Sequence, residues 1–442
     1  MVGVGASTIP TGSSLARLAA RVVDSKLWLL AFLVRLAAVV VLVGGPWTDE
    51  AAELSGWDAE RFQEIAERDG AAWVDQPIEY PPGSVVVLDL LAGEDVVSTN
   101  RRLIVVSALL ELVGVAIIWR RFGPRTGKAF LLLGLPLVPM GLMRLDMMVT
   151  VIAALAAAAL LSSRRSLPES EVEQATGESR QVEPSSATGL APLIVFLPLL
   201  GFSLLSATGA MIKIWPALLV AGAIGIGRRH AAAAAAAVTA AFGLAWLAVT
   251  GDGLEPLDQI LSLRGATGWH VESLPGSIVA LFTSLEPRLE LNAFRIGTLN
   301  RSVVTIARVA AVAMIVTLAL RAAKQKSAGE VERLALVMLG SVSALLVTAP
   351  LLSPQFLLWL TPWAALLVGL ERAPRMPIIL TVAALVLTGF TLTVFGPQRL
   401  GQPLPALLLL IRNLTLVALP FSCLLQLRAK AYASWNTEGK TL

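Results

Sequence analysis

The side chains of this chain that could do chemistry fall into a few short groups. Asp49, Asp58, Asp75, Glu79 and Tyr80 occupy one charged stretch between two apolar runs. Arg144 and Asp146 flank Leu145, and Lys213 and Trp215 belong to Ile-Lys-Ile-Trp-Pro. Arg264, Trp269, His270 and Glu272 share a polar stretch, Gln355 follows Ser353-Pro354, and Arg412-Asn413 lies inside the last apolar run. A carboxylate beside a hydroxyl can serve as a general base. Lys or Arg at an apolar-polar boundary can hold an anion such as a phosphate.

Each group also has a plainer explanation. Asp58 stands where it would cap a helix over 58–69, whose Phe62, Ile65 and Ala66 share one face. Glu60, Arg61, Glu64, Glu67 and Arg68 would then cover the solvated face, with Trp57 and Trp73 as interfacial anchors. Glu79-Tyr80-Pro81-Pro82-Gly83 reads as a rigid re-entry turn, because a residue before proline avoids the helical region. Lys213 could snorkel to the membrane boundary, and Arg144 could pair with Asp146. His270 reads as a hydrogen-bonding residue before a ligand or base.

The elements that must position these groups are membrane helices. The 442 residues are 56% hydrophobic and only 15% charged, which excludes an ordinary soluble domain. Twelve apolar runs are long enough to cross hydrocarbon as helices: 27–45, 102–119, 128–143, 146–162, 190–208, 210–227, 231–250, 302–320, 333–351, 355–370, 376–395 and 404–427. A shorter run at 84–92, interrupted by Asp89, reads as interfacial. Unbroken runs, not alternation, exclude a β-barrel. The expected fold is an all-α integral membrane domain filling 1–442.

Lys and Arg alternate with acidic residues between successive runs, which predicts both termini in the cytoplasm. The polar groups above then converge on the outer face, carried by loops 46–83 and 251–301. The first run reads as a retained helix because no small-residue cleavage site follows it. Residues 163–189, rich in Ser and Glu, read as a disordered cytoplasmic linker. The lone Cys423 excludes an internal disulfide, and two histidines are too few for a His-based zinc site. No cofactor is specified; a divalent metal is open to the outer carboxylates, but no spacing defines its ligands. The net charge of +4 belongs to inner-leaflet contact, and nucleic acid is not an expected partner.

Asp58, Phe62, Ala66, Gly70 and Asp75, followed by Glu79-Tyr80-Pro81-Pro82-Gly83, are similar to the first outer loop of a known family. Arg144-Leu145-Asp146, Lys213-Ile214-Trp215-Pro216, Val271-Glu272-Ser273-Leu274-Pro275, Ser353-Pro354-Gln355-Phe356-Leu357-Leu358-Trp359 and Arg412-Asn413 follow in that family's order. The chain thus resembles the bacterial polyprenol-phosphate-mannose-dependent α-1,2-mannosyltransferases, glycosyltransferase family 87 of the GT-C superfamily. Phe62 and Trp73 depart from that pattern, which often has Tyr and a Pro-Tyr pair there.

The resemblance implies an inverting transfer of a sugar, with mannose first in line, at the outer face of the bacterial plasma membrane. The donor is a polyprenyl-phosphate sugar, and the acceptor is a cell-envelope glycan or glycolipid. Asp58 is implied as base, with Glu79 and Asp49 as alternatives. Lys213, Arg144 and Arg412 would hold the donor phosphate. Tyr80, Asp146, Trp215, Trp269, His270, Glu272 and Gln355 would line the substrate site. A lipid-linked-sugar flippase or solute transporter, and a non-catalytic GT-C-like subunit, remain the competing readings.

Overall fold

The computed structural model describes residues 25–44, 59–70, 72–162, 191–251, 253–262, 265–325 and 327–438. Asp49, Trp57, Asp58, Arg264 and the linker 163–189 lie outside the described residues. Helix α1 (Leu27–Gly44), a loop helix α2 (59–66) and α3 (Pro82–Leu91) lead to α4 (Val96–Phe122). Next come α5 (Pro124–Gly134), α6 (Val138–Leu142), α7 (Asp146–Ser162), α8 (Ala191–Ile212), α9 (Leu219–Gly225), α10 (Arg229–Thr250) and α11 (Glu255–Ser262). Beyond α12 (Leu274–Phe282) stand α13 (Arg301–Lys324), α14 (Glu330–Thr348), α15 (Thr361–Val368), α16 (Arg375–Phe395) and α17 (Pro403–Glu438).

Local chemistry sets many of these limits. Asp95 accepts from the Ser98 N–H at 2.7 Å while Ser98 answers the Asp95 backbone, so α4 starts with a capping box. It stops at Gly123, whose φ of 93° suits glycine, and Pro124 opens α5 where its missing N–H costs nothing. Among the described residues, seven helices are long and apolar enough to cross a membrane: α1, α4, α10, α13, α14, α16 and α17. The protein is a mostly helical, membrane-embedded chain.

Three of the expected crossings are not continuous helices. Residues 128–143 break at the 3₁₀ turn Leu135–Leu137, which holds Pro136. Residues 210–227 break at Trp215–Leu218, which holds Pro216, and residues 355–370 begin with the 3₁₀ segment Pro354–Leu360. Proline removes a backbone donor and clashes with the preceding turn, so regular α-helical pairing is interrupted there. The second and third of these interruptions contribute to the candidate site.

Burial grades from the centre outward. The apolar window of α14 is 78% buried, against 11% for α1 and for α10. Leu334, Met338 and Val342 of α14 share a core with Val149 and Ala153 of α7 and with Trp363 of α15. The exposed flanks of α1, α10 and α13 carry Val40, Leu244 and Ile306, the surface expected toward lipid.

The all-α expectation needs one correction. Residues 269–296 include a three-stranded antiparallel sheet, β1 (Trp269–His270), β2 (Arg288–Glu290) and β3 (Ala293–Ile296), in the order β1-β3-β2. Leu291 and Asn292 form the β2–β3 turn with φ of 53° and 56°, the left-handed pair a tight hairpin requires. The strands are too short to leave a periodic signal in the sequence.

Helix α2 buries Phe62 and Ile65 with Ile78, Val85, Leu88 and Leu103, so its apolar face packs onto protein, while Glu60, Glu64 and Glu67 stay exposed. Trp73 joins that cluster, stacks edge-on against Trp246 and is not an exposed anchor. Arg61, expected on the solvated face, is buried as well. Periodicity marked the apolar face but not the burial of Arg61.

Candidate functional site

A cavity of about 370 Å³ lies where two of the interrupted segments, at 213–215 and 353–359, meet residues 61–81, residues 260–295 and the end of α14. Of the expected site residues, Glu79, Tyr80, Arg144, Lys213, Trp215, His270 and Gln355 line it. Asp146 lies behind this wall, while Trp269, Glu272 and Arg412 are outside the lining.

The Glu79-Tyr80-Pro81-Pro82-Gly83 motif docks this wall onto α8. Pro82 opens α3 in the extended-to-helical transition set by Pro81. A Cβ on Gly83 would stand 2.8 Å from the Met211 carbonyl carbon, so only glycine allows this approach. The Ser84 hydroxyl donates to the Ile212 carbonyl, which the break after α8 has released from helical pairing. The docking sets Tyr80 over the next residue: Lys213 Nζ lies 4.7 Å from the Tyr80 ring centroid and 5.4 Å from that of Phe356.

Lys213 is therefore held between two aromatic faces, an arrangement that stabilises its charge away from bulk water. Its nearest carboxylate oxygen is Asp146 Oδ2 at 4.0 Å. Asp146 is itself fixed, because its Oδ1 accepts from the Trp359 indole N–H at 2.8 Å. It also occupies the first position of α7, where a negative charge is favoured by the helix dipole. Trp359 stacks between Phe356 at 4.6 Å and Trp215 at 5.3 Å. The Leu-Ser-Pro-Gln-Phe-Leu-Leu-Trp and Ile-Lys-Ile-Trp-Pro segments thus interlock through their rings. Gln355 is oriented by Ser353, whose hydroxyl donates to its side-chain oxygen at 2.7 Å.

Beside Tyr80, Arg61 grips Glu79 with Nη2 at 3.0 Å and Nε at 3.4 Å. Arg61 Nη2 also donates to the Pro77 carbonyl at 2.8 Å, tying the acid's position to α2. Arg295 of β3 and Arg308 of α13 complete a lining with five cationic side chains, Arg61, Arg144, Lys213, Arg295 and Arg308. Glu79 is the one acidic side chain in that lining among the described residues. The cavity lining is therefore net cationic, with one carboxylate in it.

His270 contributes as a neutral ring. Burial, reinforced by the Arg295 and Arg412 charges, lowers its pKa to about 3. Its Nδ1 accepts from the Glu272 backbone N–H at 3.3 Å, which a proton there would abolish. Glu272 and Arg412 form a separate buried pair at 3.2 Å, and Asn413 Nδ2 donates to the Glu272 carbonyl at 3.1 Å. Burial pushes the Glu272 carboxyl up to about 7 against the pull of Arg412. This cluster clamps α17 to the start of α12 and holds β1 in place; its guanidinium is taken up by Glu272. Among the described residues, no group of three or more metal-ligating side chains forms.

Sequence reasoning missed Arg61, Arg295 and Arg308 because Arg on an amphipathic helix, a hairpin or a span end looks solvated in one dimension. It also missed Arg35 of α1 and Glu111 of α4, which pair at 2.8 Å in the middle of two expected spans. A charge inside an apolar run was the available signal there. Comparison with family models, with curated proteins and with solved structures finds no match to this chain.

Proposed function

We propose that this chain is a membrane glycosyltransferase that moves a sugar, mannose first among candidates, from a polyprenyl-phosphate donor to an envelope glycan or glycolipid. The observation that carries this reading is the cavity lining: five cations, one carboxylate and a cluster of aromatic rings where interrupted helices meet two loops. A leaving lipid phosphate needs cations, and an acceptor hydroxyl needs a nearby carboxylate. The family resemblance adds support through its ordered short motifs alone, since no family model matches.

In this reading twelve segments traverse the plasma membrane in a GT-C arrangement, both termini are cytoplasmic, and the cavity faces outward. A carboxylate, Asp58 first and Glu79 or Asp49 after it, takes the acceptor hydroxyl proton. The acceptor oxygen bonds to the anomeric carbon from one face while the carbon–oxygen bond to phosphate breaks on the other, inverting the centre. Lys213 and Arg144 hold the departing phosphate. Arg412 stabilises the wall through Glu272 and does not touch the phosphate.

The test is transfer from radiolabelled polyprenyl-phosphate mannose to endogenous acceptors by membranes carrying the protein, wild type beside Asp58→Asn. Label in the wild type and its loss in the variant support the enzyme and its base. No transfer in either removes the mannosyltransferase. The interrupted segments and the Arg35–Glu111 pair would then favour a transporter or flippase, in which such features are common.

A further inference from the structure

The segment carrying Glu79 and Tyr80 is braced from a second, distant loop by one side chain. Gln259 of α11 donates through Nε2 to the Trp73 carbonyl at 2.9 Å. Its Oε1 accepts from the Ile78 backbone N–H at 3.1 Å. The two bonds join residues 186 and 181 positions apart. Between them lies a tight turn: Trp73 has φ of 69°, its N–H donates to the Gln76 carbonyl at 3.0 Å, and its indole donates to the Tyr80 carbonyl at 3.1 Å.

Trp73 is a bulky residue held in the left-handed region, a conformation that persists only where its surroundings fix it. Gln259 supplies that fixation at both ends of the turn. The far end of α11 is anchored in turn, because Arg308 Nη2 of α13 donates to the Leu261 carbonyl at 2.9 Å. Helix α11 therefore spans from α13 to the turn before Glu79, and its Ile260 and Leu261 form part of the cavity wall.

We propose that Gln259 is a positioning residue for the transfer reaction: acting through the 73–78 turn, it sets Glu79 and Tyr80 in the cavity wall. This rests on the glycosyltransferase reading above. The Gln259 amide offers a donor and an acceptor on one planar group, as the Trp73 carbonyl and the Ile78 N–H require. Asn carries the same group on a stem one methylene shorter and cannot bridge both. Glu retains the acceptor for Ile78 but turns a carboxylate toward the Trp73 carbonyl.

The test combines hydrogen–deuterium exchange at the Ile78 amide with transfer kinetics from polyprenyl-phosphate mannose, on the full chain in detergent. For Gln259→Ala, exchange at Ile78 rises about tenfold, the scale of one lost hydrogen bond. The same variant loses kcat about tenfold while its unfolding midpoint stays within the wild-type range. Gln259→Asn behaves like the alanine variant, and Gln259→Glu keeps more of the Ile78 protection. Unchanged exchange at Ile78 overturns the brace; faster exchange with unaltered kcat overturns its role in positioning. A wild type that transfers nothing removes the reaction, and exchange on the same preparations then decides the brace by itself.

Discussion

Arg61 binds Glu79 with two of its nitrogens, at 3.0 and 3.4 Å, from a helix 18 residues earlier in the chain. Both Glu79 oxygens already accept a guanidinium bond, which leaves each with one fewer site for an acceptor hydroxyl. Asp58→Asn is therefore expected to lower kcat by roughly 10²–10⁴-fold, the contribution of a general base. Glu79→Gln should cost only about tenfold through misplaced hydrogen bonds. Steady-state transfer rates for the two variants check the order; an equal or larger loss for Glu79→Gln makes Glu79 the base.

Lys213 sits between the Tyr80 and Phe356 rings, so its ammonium is presented to the cavity with little freedom. Lys213→Met should raise the donor KM about thirtyfold, matching ~2 kcal/mol for a desolvated cation. Lys213→Arg should recover part of that loss. Donor titration of the initial rate distinguishes them, and an unchanged KM would take Lys213 out of phosphate binding.

Gly83 is the contact that lets α3 reach α8. In Gly83→Ala the new methyl carbon would lie 2.8 Å from backbone atoms of Met211, which cannot swing aside as a side chain can. The variant should be destabilised by about 1–3 kcal/mol and its donor KM should rise as Tyr80 leaves Lys213. Thermal unfolding and kinetics on one preparation measure both.

The Arg35–Glu111 pair has side chains 6% and 5% exposed, and Gly134 leaves room for the guanidinium. Arg35→Met strands the Glu111 charge and should cost roughly 3–5 kcal/mol. The double variant Arg35→Met, Glu111→Leu should return close to wild-type stability, because apolar pairs replace buried ion pairs well. Unfolding in detergent separates the single from the double.

His270 gives a pH dependence with a defined sign. Its folded pKa, about 3, lies below the ordinary 6.5, so between these values the unfolded chain binds a proton that the folded one refuses. Stability from this group is complete above 6.5 and is lost as pH falls toward 3, at about 1.4 kcal/mol per pH unit. Glu272, raised from 4.5 to about 7, acts in the opposite sense between those two values. The stability of wild type relative to His270→Gln, followed by unfolding at successive pH values, isolates the histidine: wild type should lose ground as acid is added.

The order of apolar runs by itself determined that this is a helical membrane chain, because spanning hydrocarbon requires long unbroken apolar helices. Spacing and residue type also singled out Glu79, Tyr80, Arg144, Lys213, Trp215, His270 and Gln355, which share one cavity. Only the tertiary structure decided which charges neutralise one another. Arg412 and Glu272 are 140 residues apart and Arg35 and Glu111 76 apart, yet each pair is closed and buried. Partner choice among charges depends on distance in space and on desolvation, and neither is written in local periodicity. The same holds for Gln259, an ordinary polar residue on a short helix until folding brings it against the Trp73 and Ile78 backbone.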